Sequence, residues 1–219
     1  TRELIGDNMW GLVESGSITK IINKPKAMAI GDIQYSKNIF SSRWTKSERE
    51  AIGIYEVEMD YSKRKDEKWY INTDVTYAFG SGKVTGSYGD ATAKAHADTL
   101  YTNQDKTDGK IPTGKDVGDV AVEGLKTILI KNVKAKANTL LSQTDWYVTR
   151  KSEKSTAIPS NITTWRNGIR SKQAAMETSI TNASDTPALE TLYTYVNTAD
   201  EGDPVVMERP LGEFPELGS

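Results

Sequence analysis

Near residue 116 the spacing of apolar side chains changes from every second residue to every third or fourth. The first spacing suits a half-buried strand and the second suits one face of a helix. Upstream, Met9-Trp10-Gly11-Leu12-Val13 and Ile18-Thr19-Lys20-Ile21-Ile22 flank the turn Glu14-Ser15-Gly16-Ser17, which predicts a hairpin. Pro25 ends the second strand because it has no N–H for a ladder, and residues 27–30 form a third short strand. Thr45 and Glu48 have the spacing of a capping box, and Gly53 stands where a short helix would stop. Residues 54–59 and 69–77 alternate apolar and polar around a charged loop, 63–68. Phe79-Gly80-Ser81-Gly82 then turns the chain into Lys83-Val84-Thr85-Gly86. Short turns between such strands predict an antiparallel meander.

Downstream, Val122, Leu125, Leu129, Val133, Ala137 and Leu140 mark one side of a long helix that begins after residue 116, with Asp116 and Asp119 at its positive end. A second helix follows Pro159-Ser160 and carries Ile162, Trp165, Ile169, Met176 and Ile180. A third starts near Thr186-Pro187 and carries Leu189, Leu192, Tyr193 and Val196. No helix is apolar all round, so each needs a partner, and an antiparallel hairpin with a third helix packed on it is expected. The fold class is therefore α+β. An antiparallel β-rich domain (1–90) leads through a polar linker (91–115) to a helical-hairpin module (116–198), then to an extended C-terminal arm (199–219) rich in proline.

Composition narrows the function classes. A net charge of −2 leaves no global footprint for nucleic acid, and the absence of cysteine removes disulfides, thiolate metal sites and thiol nucleophiles together. No stretch approaches the roughly 18 apolar residues of a membrane span, so membrane insertion is not expected. The sole histidine, His96, has only Asp98 nearby and no nucleophile in its context. Gly80-Ser81-Gly82-Lys83 lacks the leading glycine and trailing hydroxyl of a phosphate loop, since Tyr77 and Val84 occupy those places. Asp105, Asp108 and Gly109 lack the remainder of a calcium loop. Glu56 and Glu58 read as the solvated face of a strand. Lys131, Lys134 and Lys136, like Arg166, Arg170 and Lys172, read as solvated helix faces. No catalytic residue, metal ligand or cofactor site is expected, and the chain reads as a non-enzyme.

Residues 137–170 carry the one informative pattern: Leu140-Leu141-Ser142-Gln143-Thr144-Asp145-Trp146, then Arg150, Pro159 and Trp165-Arg166-Asn167-Gly168-Ile169-Arg170. This region resembles one found in tail proteins of bacteriophages, including tail-fibre-assembly-like proteins and fibre or baseplate components. Trp10-Gly11-Leu12-Val13-Glu14, Pro25-Lys26 and Ile52-Gly53-Ile54-Tyr55-Glu56 look like the first domain of such proteins. The resemblance implies a structural part of the virion tail, made in the bacterial host cytoplasm. Its implied partners are other tail proteins and further copies of itself, with a trimer as one form. An assembly chaperone left out of the particle and a fibre-associated glycan-degrading enzyme are the alternatives.

On the residues themselves, Thr144 or Asp145 is expected to turn the chain at the end of the long helix. Trp146 is expected to fill the space between the two helices together with Trp165, and Arg150 to reach Glu153 or the helix end. In the arm, Pro210 and Pro215 bar a continuous helix. Val206, Met207, Leu211, Phe214 and Leu217 are therefore expected to seek a groove on a neighbouring subunit, a copy of this chain or another tail protein, with a disordered tail as the alternative.

Overall fold

The computed structural model describes residues 9–218, and the chain divides between Thr92 and Ala93 into two compact units. Residues 1–8, the start of the expected β domain, lie outside the described residues. The order of elements is α+β as expected, with a β-rich sheet first and helices after it.

In the first unit β1 (Trp10–Glu14) and β2 (Ser17–Ile22) form the expected antiparallel hairpin. Its two-residue turn has positive φ at Ser15 and Gly16, the hand that matches strand twist. β3 (Met28–Ile30) and β4 (Ile33–Tyr35) make a second, separate hairpin. The expected capping box is present at α1 (Lys46–Ala51), where Thr45 and Glu48 each hold the other's backbone N–H. Gly53 follows with φ +84°, and an added Cβ would stand 2.6 Å from the Val13 carbonyl oxygen. Only glycine fits both the left-handed backbone and that close approach. β5 (Ile54–Asp60) then enters the sheet beside β1.

Two expectations fail here. Residues 69–77 do not make one strand: β6 (Tyr70–Ile71) stops at once and β7 (Thr76–Gly80) starts later. The Asn72 side-chain amide accepts the Lys65 N–H (2.9 Å) and donates to the Lys65 carbonyl (2.8 Å), which draws the chain out of an extended ladder. The sheet is also mixed rather than an antiparallel meander. Its order is β2-β1-β5-β8-β7, and β8 (Lys83–Ser87) runs parallel to β5. Burial explains the swap, because β8 carries Val84 (fully buried) and Gly86, whereas Tyr77 and Phe79 on β7 stay half-exposed. Gly86 leaves room for Met59 on one side and the Tyr77 ring on the other. The strand with the deeper residues takes the inner position. Trp10, Leu12, Ile22, Met28, Ile39 and Ile54 form the core of this unit. β9 (Thr92–Ala93) lies at the division.

The second unit begins inside the expected linker. β10 (Thr99–Leu100) pairs with β11 (Val120–Val122), and α2 (Asn103–Thr107) between them has its own capping box, Thr102 with Asp105. The long helix, α3 (Leu125–Ser142), starts later than its period suggested. Val122 lies in β11, while Asp116 and Asp119 hold a turn in which Asp119 accepts the Asp116 N–H. Leu125, Leu129, Val133 and Ala137 are buried as expected.

α5 (Ser160–Asn182) buries its expected apolar residues and packs on α3 in antiparallel fashion, with Lys126 reaching the Thr181 carbonyl and Arg166 reaching Leu141. An unexpected short helix, α4 (Asp145–Lys154), fills the connection between them. α6 (Thr186–Tyr193) has Asp185 as its cap and Pro187 in its first turn. It ends before Val196, which belongs to β12 (Val196–Asn197), paired with β13 (Met207–Glu208).

Candidate functional site

The residues of the informative stretch meet at the corner where α3 ends and α4 begins. α3 stops at Ser142, and Thr144 turns inward, where it is buried. Its hydroxyl donates to the Leu141 carbonyl (3.1 Å) and accepts from Arg166 Nη1 (2.7 Å). The same guanidinium nitrogen donates to Leu141 O (2.8 Å) and lies 2.9 Å from Asp145 Oδ1. Arg166 is buried, whereas the Asp145 side chain is 60% exposed. A buried guanidinium is tolerable only when its N–H groups are paired, and here one arginine ties the end of α3, the start of α4 and the middle of α5. The reading of Arg166 as a solvated residue is corrected. It stands four residues after Ile162 and three before Ile169, on the inward stripe of α5.

Trp146 does not fill the space between the helices. Because α4 starts at Asp145, the inward place goes to Thr144, and Trp146 is turned out, 51% exposed. Its ring stacks on Tyr147 at 3.8 Å, and the Arg150 guanidinium covers both rings at 4.7 and 5.2 Å. Arg150 thus takes a cation–π position instead of reaching Glu153. Trp165 is the core tryptophan, with Ala137 and Ile169 around it.

The C-terminal arm folds back on its own unit. The Leu211 N–H donates to Leu192 O (3.0 Å), and the Leu211 side chain is buried. Phe214 packs on the Ala137–Trp165–Ile169 cluster, and Trp165 Nε1 donates to Pro215 O at 2.9 Å. Leu211 and Phe214 therefore serve an internal core, not a neighbouring groove, because the face that α3 and α5 share needs a cover. Val206, Met207 and Leu217 remain exposed. Between the core and the exposed part, Arg209 bonds Glu213 (2.9 Å) and lies over the rings of Tyr193 and Tyr195, while the Tyr195 hydroxyl donates to Glu213. That bond raises the Tyr195 hydroxyl's pKa, and burial does the same for Tyr193. A cavity of about 260 Å³ under the arm is lined by apolar (Val133, Met176, Leu211, Phe214) and charged (Lys136, Arg209, Glu213) side chains among others.

The remaining polar candidates are engaged in holding the fold. Asp98 turns away from His96 toward the start of α3, accepting from the Gly124 N–H (2.7 Å) and the Thr127 hydroxyl (2.8 Å). Those two bonds hold its carboxyl below the usual range. Glu58 pairs with Lys83, Glu56 with Arg49, and Lys134 with Glu177. Gly80-Ser81-Gly82-Lys83 is a hairpin turn between β7 and β8. Among the described residues no group of three or more histidine, aspartate or glutamate side chains is placed to hold a metal ion. No helix among them is long and apolar enough to cross a membrane. No protein-family model, curated protein or solved structure matches the chain.

Proposed function

We propose that this chain is a non-catalytic structural component of a bacteriophage tail, fibre- or baseplate-associated, which works by docking onto other proteins. The observation that carries the reading is the division of labour within the resembling stretch. Thr144, Asp145 and Arg166 are consumed in fixing a helix corner, and that rigid corner presents Trp146 and Val148 to solvent. An outward tryptophan held in place by a second ring and a guanidinium is preordered for burial at an interface, where tryptophans are among the residues that dominate binding energy between proteins. The bacteriophage setting rests on the likeness of residues 137–170 to tail proteins. Mass spectrometry of purified particles tests it directly: the chain is expected in the tail fraction. A chain found only with unassembled fibre protein would make it a chaperone. Release of sugars from host-surface glycan by the pure protein would make it an enzyme, and either result overturns the proposal.

A further inference from the structure

Between Lys172 and Arg209 the sequence has no lysine or arginine and seven acidic residues, although the whole chain is only −2. The rest of the chain is therefore net positive. The acidic stretch ends in the β12–β13 ribbon, which has only two strands, so each keeps an open edge. Tyr195, Val196, Val205, Val206 and Met207 on this ribbon are 47–70% exposed. Asp200, Glu201 and Asp203 are exposed at its tip, and Glu208 is exposed on β13. An apolar, open-edged and wholly acidic ribbon calls for a basic partner with apolar surface of its own.

Such a surface exists on the first unit. Residues 61–68 carry Lys63, Arg64, Lys65 and Lys68 against Asp66 and Glu67, all exposed. The loop is net positive, four cations against two carboxylates, and borders an open, charge-balanced cleft of about 670 Å³ lined by Tyr61, Arg64, Lys65, Asp66 and Glu67. Tyr61 (55% exposed) and Ile71 (60%) supply apolar area beside it. All four cations already have partners, Arg64 pairing with Glu67, Lys63 with Asp90, Lys65 lying over Tyr70 and Lys68 over Trp69, but these cations are exposed and exchange partners at little cost.

We infer that the acidic C-terminal ribbon of one copy docks onto the basic 61–68 loop of a second copy. The inference rests on the docking role proposed above and names one partner for it. Ribbon-to-ribbon pairing would set like charges together, whereas ribbon-to-loop pairing brings opposite net charges and apolar area together. The two surfaces differ, so the contact is head-to-tail and extends to a third copy, as a ring or a filament.

Sedimentation velocity of the full chain over a range of concentrations tests this. At low ionic strength the protein is expected to self-associate, and added salt is expected to reverse it. Asp200→Lys/Glu201→Lys/Asp203→Lys and Lys63→Glu/Lys65→Glu should each weaken self-association at least about tenfold, while circular dichroism melts stay near wild type. Mixing the two variants should restore association, because each then offers what the other lacks. Val205→Ser/Val206→Ser/Met207→Ser should weaken it with the charges intact. A wild-type chain that stays monomeric throughout, or reversed variants that associate like wild type, or a mixture that stays apart, overturns the inference. A chain that is monomeric alone yet present in purified tails overturns this contact and leaves the proposed function standing.

Discussion

Arg166 and Asp145 form an ion pair with one end dry and the other wet, so the two halves are not equivalent. Removing the arginine costs its hydrogen bonds to Thr144 Oγ1 and the Leu141 carbonyl, but Thr144 still donates to that carbonyl, so no buried acceptor is stranded and Arg166→Met should cost about 1–3 kcal/mol. Removing the carboxylate leaves a buried positive charge short of its counter-charge, the costlier defect. Asp145→Ala should therefore lower stability more than Arg166→Met, and chemical denaturation of the two variants checks the order. The two tryptophans divide in the same way. Trp165→Ala empties a core site and should cost about 3–5 kcal/mol. Trp146→Ala should change stability by less than about 1 kcal/mol and act on partner binding instead. A large loss of stability at Trp146 would contradict its outward position.

The elements that sequence revealed best are those whose pattern is local. The Thr45–Glu48 capping box, the Gly53 stop, the hairpin at Ser15-Gly16 and the stripes of α3 and α5 each depend on residues a few positions apart. What stayed hidden depends on distant partners. Nothing within residues 69–77 announces that Asn72 will bond the backbone of Lys65, and α4 has no apolar stripe because it is exposed along its length. Of the candidate site, the turn at Thr144 and Asp145 and the core place of Trp165 were legible, but the burial of Arg166 and the outward place of Trp146 were not. Spacing identifies an aromatic residue without saying which of two helices it faces. The start of α3 is another long-range case, since Asp98, which holds the Gly124 N–H and the Thr127 hydroxyl, lies 26 residues before Gly124. Its depressed pKa means that its contribution is present above the unfolded carboxylate value of about 3.9 and is lost as pH falls through the folded value. Asp98→Asn should lower the melting temperature at neutral pH and flatten its fall toward acid; an unchanged acid limb would reject a role for Asp98 in anchoring the start of α3. Removal of residues 204–219 strips Leu211, Phe214 and the Pro215 carbonyl from the helices. The truncated chain should show a lower melting temperature for its helical unit rather than fold normally.

At the scale of the whole molecule the two units each own a core, one around Ile54 and Trp10, the other around Ile169, Ile180 and Leu189. Ile54→Ala and Ile169→Ala should each cost about 2–5 kcal/mol, and in a calorimeter each should lower a different transition. A single transition shifted alike by both would mean that the units melt as one. The indole–carbonyl bond between Trp165 and Pro215 also bears on how the protein is made. Fifty residues separate its two ends, so a ribosome delivers α3 and α5 well before it delivers their cover. Throughout that interval the Trp165 face is bare on a nascent chain. At the ordinary pace of synthesis, about 5–20 residues per second, the wait lasts several seconds. That is ample time for a chaperone to bind it and for neighbouring nascent chains on one message to stick to each other.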